Sequence, residues 1–472
     1  TRVDHSAYQV NTTFPPRFFN NEVKKYDVLA FNRDTTWWDS LRPITLKTTE
    51  LAYIQKSDSV RQYLESESYL DSADAEYNKL DIWNFLLTGI GHRNRFHRTE
   101  YYIAPLIAQM NFAGIGGYRH TLHGSFSKEF ANNYLLETNG MVDYGFTNKD
   151  VKGKVGAGLT YMPLRFVRTF IDVGDYYDVI NTYPSLGTLF SRANFVRART
   201  FSIAQRMEIV NGLFGELTLD YSKLDPLTNL QMDRWTQVLY GELNQPTDFQ
   251  PYKKAEIRLE FKYRPMQKYI IKGNKKIIIG SKYPELSMLY RKGLNGIFKS
   301  EVNFDYLETG IKHELQFGTL GYGSWSVLGG AFMNKKSLRV IEYKYFRGSD
   351  VGIFSSPLNS FQLLGPTLSA SESYLRMNGI YHDQGFIFNK IPILRKCRLG
   401  LAGGAGYLAI PEQDNFHHAE MFAGVEWIFR IKKQLFRAGI YGVTADNTIA
   451  LPSLTWKFGF TFFDEYKRRW SY

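Results

Sequence analysis

Regular alternation of apolar and polar residues is the feature that most limits what this chain can fold into. In residues 454–463, LTWKFGFTFF, every second residue is Leu, Trp or Phe, and the residues between them are mostly Thr, Lys and Gly. A β-strand turns successive side chains to opposite faces, so this stretch predicts a strand with one apolar, aromatic face and one polar face. A soluble β-sandwich could show the pattern once, whereas a transmembrane β-barrel must repeat it many times.

The same alternation recurs through most of the chain. In residues 254–264, Ala, Ile, Leu, Phe and Tyr alternate with Glu, Arg and Lys. Charges of both signs in the polar positions suit a water-filled lumen better than the outside of a sandwich. We therefore predict an all-β fold, an antiparallel transmembrane β-barrel. About fifteen strands are placed, at 118–126, 134–146, 152–161, 165–173, 201–210, 212–222, 254–264, 283–291, 307–317, 325–333, 375–381, 398–407, 422–430, 435–443 and 454–463.

Composition agrees with a barrel and argues against a helical membrane protein. Aromatic residues make up 16% of the chain. The mean hydropathy is −0.32, and no apolar run reaches the roughly 18 residues of a helical span. The formal net charge of +12 suits anionic lipid headgroups, and no nucleic-acid motif accompanies it. We expect outer-membrane lipid, including lipopolysaccharide, as a partner, and no nucleic acid.

The first 100 residues predict a separate segment. Residues 1–44 are irregular, with one short strand. The stretch Thr48–Leu87 has a helical pattern, with Thr48 as a cap, Glu50 in the first turn and too few apolar residues for a buried helix. The basic run His92–Arg98 is interpreted as a solvated or headgroup-facing linker rather than a specific binding site. We expect a small, mainly helical periplasmic segment at 1–100 and a barrel at 101–472. A barrel needs a signal peptide and Thr1 opens on polar sequence, so we expect a mature or trimmed chain.

No pattern in the sequence predicts an enzyme. The pair His417-His418 with Glu420 could suggest a metal site, but a solvated loop before a strand is the favoured interpretation. The glycines of GLAGGAG, residues 400–406, lack the strand–turn–helix context of a phosphate loop and are expected to permit close packing. No nucleophile elbow occurs. We expect no catalytic residue, no cofactor and no metal, and a lipase or protease is the least favoured hypothesis.

A long insertion at residues 335–373 contains YFRGSD, residues 345–350, and five predicted strands follow it. On its own the motif would indicate an exposed loop tip. In this position it resembles the barrel superfamily of the BamA insertase and the two-partner secretion transporters. Those barrels have sixteen strands and carry a Val-Arg-Gly-aromatic motif in an extracellular loop that folds into the lumen. The resemblance implies such a loop here, with Phe346, Arg347 and Gly348 in the motif and Ser349 replacing the usual aromatic residue.

The resemblance also implies that Arg347 meets a carboxylate on the inner wall. Alternation in 422–430 turns Trp427 outward and Glu426 inward, so Glu426 is the candidate partner. The alternative is that Glu426 is one of many lumen charges. The strand 398–406 offers only small inward residues, so the second acidic contact of the superfamily is not expected.

A closer resemblance covers most of the chain. Segments 37–60, 111–119 and 385–396 look like an uncharacterised Bacteroidota outer-membrane family, in which a carboxypeptidase-regulatory-like domain usually precedes the barrel. It implies the outer membrane of a Gram-negative, Bacteroidota-like bacterium, with the N-terminus in the periplasm. Strand parity around the loop requires one further strand, placed within 174–252, which gives about sixteen.

The first and last strands are expected to form the barrel seam. The regular alternation of both strands predicts a continuous ladder, so lateral opening is the less favoured option. The seam residues are Tyr118, Leu122, Phe126, Trp456, Phe458, Gly459 and Phe462.

Two functional hypotheses follow. The first is a BamA-like barrel that takes part in outer-membrane protein assembly or translocation as a subunit of a larger envelope complex. The second is a structural or passive channel barrel that scaffolds other envelope proteins. Both name outer-membrane or periplasmic proteins as partners.

Overall fold

The computed structural model describes residues 12–14, 20–26, 35–42, 45–112, 115–180, 192–234, 238, 241–348, 350–365, 368–431, 434–447, 454–464 and 469–471, which are called the described chain here. Ser349 of the predicted loop motif lies outside them.

Most of the described chain is β-strand. The strands are β1 Glu22–Tyr26, β2 Ile90–Asn94, β3 Thr99–Ile103, β4 Met110–Asn111, β5 Arg119–Glu129, β6 Leu135–Gly145, β7 Asp150–Tyr161, β8 Val167–Val179, β9 Phe195–Val210, β10 Leu213–Asp225, β11 Tyr252–Tyr263, β12 Lys268–Lys272, β13 Lys275–Gly280, β14 Glu285–Gly293, β15 Asn303–Gln316, β16 Tyr322–Ser337, β17 Lys344–Tyr345, β18 Ser369–Ala370, β19 Ser373–His382, β20 Leu399–Ile410, β21 Phe416–Ile431, β22 Gln434–Asn447, β23 Thr455–Asp464 and β24 Arg469–Ser471.

One large antiparallel sheet contains the strands that alternation predicted. From β5 to β11 each strand pairs with the next, and the series continues through β14, β15, β16 and β19 to β23. The prediction of an all-β, antiparallel sheet is confirmed, and each predicted strand overlaps a strand of this series. Between β11 and β14 the chain leaves the sheet as the hairpin β12–β13, and β1 pairs in parallel with β12.

The two faces of the sheet are sharply different. In β23, Trp456, Phe458 and Phe460 are 60%, 63% and 61% exposed, whereas Lys457 and Thr461 are 2% and 4% exposed. Alternation therefore has the predicted geometry, but the aromatic side chains point away from the protein and the polar ones lie beneath the rest of the chain. A soluble sheet has the opposite arrangement, with its apolar face in the core.

The edge of β5 is the first place where the structure departs from prediction. The basic run His92–Arg98 was interpreted as a linker, but it belongs to the hairpin β2–β3, and β3 pairs with β5 from Thr99↔Lys128 to Ile103↔Gly124. The strand β4 covers the same edge at His120. The predicted boundary after residue 100 therefore falls inside a hairpin of the large sheet. In the described part of 174–252, the strands are longer versions of the predicted ones, with β8 ending at Val179, β9 beginning at Phe195 and β10 ending at Asp225, plus the first residue of β11. The further strand expected there stays a prediction.

The predicted seam is the second departure. In the described chain no ladder joins β5 to β23, because β3 and β4 occupy the edge of β5 while β24 and a segment of the long loop occupy that of β23. The expected seam ladder is not formed. It would have joined Tyr118, Leu122 and Phe126 to Trp456, Phe458, Gly459 and Phe462. Among the described residues the sheet is not closed, and the total of about sixteen strands stays a prediction.

The helices of the described chain lie outside the sheet. The α-helices are α1 Thr35–Leu41, α2 Thr48–Glu65, α3 Glu67–Tyr77 and α4 Leu106–Gln109, and a turn of π-helix spans Asn84–Thr88. The helices α2 and α3 fill most of the predicted helical stretch and bury no residue, as their sparse apolar content predicted. The cap is one residue earlier than expected, at Lys47, whose backbone N–H donates to Glu50 at 2.9 Å.

A tyrosine fastens α3 to the hairpin β2–β3. The hydroxyl of Tyr77 donates to Glu100 Oε1 at 2.6 Å. This hydrogen bond raises the pKa of Tyr77 to about 12, so the hydroxyl keeps its proton at any physiological pH. Asn78 adds two hydrogen bonds to the backbone of Arg93. No helix of the described chain has the length and apolar character needed to cross a membrane.

Candidate functional site

The long insertion between β16 and β19, residues 338–372 and called the inserted loop here, lies against the polar face of the sheet. The expected bounds, 335–373, match the ends of these two strands within a few residues. Phe346 and Phe361 of the loop are each 1% exposed. They belong to a buried cluster with side chains of β19, β20 and β21, including Leu408. The loop is therefore packed against the sheet.

The beginning of the inserted loop contacts the middle of the sheet. Glu342 accepts a hydrogen bond from Arg291 Nη2 at 2.6 Å, one from Lys254 Nζ at 3.3 Å and one from the Tyr252 hydroxyl at 3.1 Å. Arg291 also binds both oxygens of Glu256 at 2.9 Å. Sequence reasoning missed this cluster, because the alternation shows which charges face inward but not which of them meet.

The middle of the loop is held by β21 through a carboxylate and two backbone amides. Both oxygens of Glu420 accept from the N–H of Gln362, at 2.8 and 2.7 Å, and Oε2 accepts from the N–H of Leu363 at 3.1 Å. His418 Nε2 lies 3.1 Å from the same oxygen. Because the carboxylate is buried, these charge-assisted bonds hold the loop firmly.

The prediction that His417 and His418 lie in a solvated loop is therefore wrong. Both residues belong to β21, and His418 is fully buried beneath Phe361, whose ring it contacts edge-on at 5.5 Å. Charged and imidazole side chains made the stretch look like a loop, although they occupy the inward positions of a strand. Within the described chain no group of three or more His, Cys, Asp or Glu is placed to hold a metal ion.

The next part of the loop covers the edge of the last long strand. The N–H of Phe354 donates to Phe458 O at 2.8 Å, and the N–H of Phe458 donates to Gly352 O at 2.7 Å, which makes a parallel bridge between Ile353 and Phe458. Lys457, from the inward face, donates to Asp350 O at 2.6 Å.

The ring of Phe354 extends this contact onto the neighbouring strands. It stacks on Tyr441 of β22 at 3.7 Å and meets Phe422 of β21 edge-on at 5.0 Å. The loop thus touches β11 and β14 near its beginning and β21 to β23 further along, so the sheet curls around it.

The predicted motif lies where the loop turns. The ring of Phe346 meets Tyr374 of β19 edge-on at 4.9 Å, and the carbonyl of Arg347 accepts from the N–H of Phe361 at 2.9 Å. A side chain at Gly348 would overlap the carbonyl oxygen of Leu364, so only glycine fits there. The glycines of GLAGGAG permit close packing as expected, because a Cβ at Gly406 would lie 3.1 Å from the ring of Phe361.

Glu426 faces inward as predicted and is 3% exposed. It accepts from the Tyr441 hydroxyl at 2.6 Å, lies 2.8 Å from His382 Nδ1 and forms an ion pair with Arg437 Nε at 3.5 Å. The pairing of Glu426 with Arg347 stays a prediction. Alternation in 435–443 also turns Arg437 inward, so this wall cation could have been found by the same argument.

Comparison with known families decides where the chain belongs. The model of the family of unknown function DUF5686, C-terminal domain, matches residues 83–425. The chain belongs to this family. The DUF5686 match begins before the hairpin β2–β3, includes the inserted loop and Glu420, and ends in β21 just before Glu426. A search of curated proteins finds no match.

Solved structures similar to this DUF5686 chain are outer-membrane proteins. BamA from Haemophilus ducreyi, lacking POTRA domains 1–3, is 10% identical with a TM-score of 0.43, over 85% of this chain and 80% of that one. OpdK from Pseudomonas aeruginosa is 10% identical with a TM-score of 0.33, over 76% and 95%. Wzi from Escherichia coli, a carbohydrate-binding barrel involved in capsule assembly, is 8% identical with a TM-score of 0.33, over 75% of each chain.

Proposed function

We propose that the chain is an integral outer-membrane β-barrel that takes part in the assembly or translocation of outer-membrane proteins, as a subunit of a larger envelope complex. The observation that carries this proposal is the edge of β23, which is covered by the chain's own inserted loop instead of by the first strand.

The distribution of side chains on the sheet supports a lipid environment. Outward residues of strands far apart in the sheet are large, apolar and exposed, such as Val155 in β7, Phe201 in β9 and Trp427 in β21. Inward residues of β7 are charged or small, such as Asp150, Lys152 and Gly156. In water such a face would drive aggregation, whereas hydrocarbon stabilises it.

A single substitution distinguishes lipid from water at this face. Val155 is 55% exposed near the middle of β7. We expect Val155→Arg to lower the free energy of unfolding from lipid vesicles by about 2–4 kcal/mol, the cost of a cation at the bilayer midplane of a barrel. Val155→Ala is the control for lost packing. A loss within about 0.5 kcal/mol, as on a water-facing surface, would contradict a lipid-facing strand.

The state of the two sheet ends favours assembly over a passive role. Unpaired strand edges bind other strands readily, and proteins normally cover them. The edge of β23 is covered at Phe458 by one bridge of two hydrogen bonds, and near Phe462 by the short β24. Uncovering this edge breaks far fewer ladder hydrogen bonds than opening a ten-residue ladder, which favours pairing with a strand of another protein.

The experiment is conditional depletion of this chain in the bacterium that produces it, followed by quantification of its outer-membrane proteome. We expect other β-barrels to fall in abundance and wild-type chain to restore them. A variant with Ile353→Cys and Phe458→Cys, in a Cys397→Ser background, should restore the other β-barrels only under reducing conditions. Each single-cysteine variant should restore them under oxidising and reducing conditions alike. An unchanged proteome after depletion would contradict an assembly role.

A scaffold function is the second candidate, and the N-terminal helices favour it. The helices α1 to α3 leave Trp37, Trp38, Tyr53 and Tyr63 exposed, a surface suited to a protein partner. Affinity purification from native membranes tests this role. A stoichiometric complex with an unchanged outer-membrane proteome would support a scaffold, and an isolated monomer would contradict it.

A further inference from the structure

A cavity of about 730 Å³ lies between the beginning of the inserted loop and the inward face of the sheet from β8 to β16. This volume is typical of small-molecule sites. Its walls carry charged side chains of both signs. Six of its lining residues are cations, namely Lys254, Arg258, Lys262, Arg291, Lys344 and Arg376.

Five of these six cations already have a carboxylate partner. The shortest ion pairs join Lys254 to Glu342 at 3.3 Å, Arg258 to Glu256 at 3.4 Å, Lys262 to Glu260 at 2.5 Å, Arg291 to Glu342 at 2.6 Å and Lys344 to Glu308 at 2.6 Å. These five charges are satisfied by the protein itself.

Arg376 is different. It occupies an inward position of β19, and within the described chain no carboxylate lies within ion-pair distance of its guanidinium. Its Nε is buried and has no hydrogen bond. The next inward residue, Asn378, is 4% exposed, and neither its amide nitrogen nor its oxygen has a partner. Buried polar groups are normally satisfied, and Arg376 lines the cavity, so its unpaired Nε calls for a ligand or ordered water.

We propose that Arg376 anchors a binding site for a small molecule carrying an oxyanion, either a carboxylate or a phosphate group. A guanidinium presents planar, paired N–H donors that match two oxygens of such a group. Lys344 of the inserted loop lines the same cavity and is close enough to feel the charge of Arg376. Asn359 of the inserted loop lines the same cavity, and its amide nitrogen donates to Ser356 Oγ at 3.2 Å. The site lies under the loop and goes beyond the assembly function.

Isothermal titration of the purified full chain in detergent tests the proposal, with sodium phosphate and sodium acetate as separate probes at constant ionic strength. We expect at least one probe to bind, and the stronger probe identifies the anionic group. Arg376→Gln should weaken binding by about tenfold or more, the effect of losing a charge-assisted hydrogen bond. Arg376→Lys keeps the positive charge but loses the paired guanidinium N–H donors, so its affinity should lie between those of wild type and Arg376→Gln.

The matched control is Arg258→Gln, which removes a cation of the same cavity that already has a carboxylate partner. We expect its affinity to stay within about twofold of wild type. Thermal unfolding of each variant shows whether it is folded, and Arg376→Lys replaces Arg376→Gln as the test if the latter does not fold. The proposal is overturned if neither probe binds wild type, or if the Arg376 variants bind as well as Arg258→Gln. Neither result depends on the assembly function, because the probes report on the cavity alone.

Discussion

Replacing Glu420 with alanine should release the middle of the inserted loop from β21. The buried carboxylate accepts from the backbone N–H groups of Gln362 and Leu363, and a hydrogen bond to a charged group contributes about 1.5–3 kcal/mol. Losing both corresponds to roughly a hundredfold or larger change in the opening equilibrium. We expect hydrogen exchange at these two amides to accelerate by at least about that factor.

The control for this prediction is Glu412→Ala. Glu412 also holds the loop by backbone amides, but at its exit, where it accepts from Glu372 and Ser373 at 2.9 Å. Its loss should accelerate exchange there and leave Gln362 protected. If Glu420→Ala leaves exchange at Gln362 and Leu363 within about threefold of wild type, the carboxylate does not anchor the loop.

Replacing Arg437 with methionine should destabilise the inner wall by about 3–5 kcal/mol, the cost of leaving a buried charge without its partner. The Arg437 side chain is 2% exposed and its ion-pair partner Glu426 is 4% exposed. Arg437 Nη2 also donates to the Tyr322 hydroxyl at 2.9 Å. The measurement is the free energy of unfolding in urea, in detergent micelles.

Two companion variants make this result specific. Glu426→Gln combined with Arg437→Met removes both charges, so it should be less destabilising than Arg437→Met alone. Arg258→Met removes an inward arginine that is 48% exposed and should cost no more than about 1 kcal/mol. If Arg437→Met is as mild as Arg258→Met, the pair with Glu426 is not a structural element of the wall.

The strands of the large sheet could be predicted from sequence because their signal is local. In β11, β21 and β23, sustained alternation indicates both the strand and the face of each side chain, and Lys457 and Glu426 face inward as predicted. The hairpin β2–β3 could not be predicted this way. Each of its strands has five residues, too few to show a period, and its charged turn resembles a linker.

The contacts of the inserted loop could not be predicted, for a different reason. Glu420 holds Gln362 through the main chain, and Lys457 holds Asp350 through a carbonyl. Backbone groups are the same in every residue, so the sequence does not mark which ones a distant side chain will bind. The resemblance to a superfamily with a lumen loop indicated that the loop folds inward, but not that Gly352 and Phe354 would cover the edge of β23.

Cysteine crosslinking at the edge of β23 tests most directly whether the inserted loop, rather than the first strand, covers it. In a Cys397→Ser background, Ile353→Cys with Phe458→Cys places both thiols at the parallel bridge. Leu122→Cys with Phe458→Cys probes the seam that alternation alone would predict. Under mild oxidation in native membranes, the geometry predicts a disulfide in the first pair and none in the second. A disulfide between positions 122 and 458, with none between 353 and 458, would contradict it.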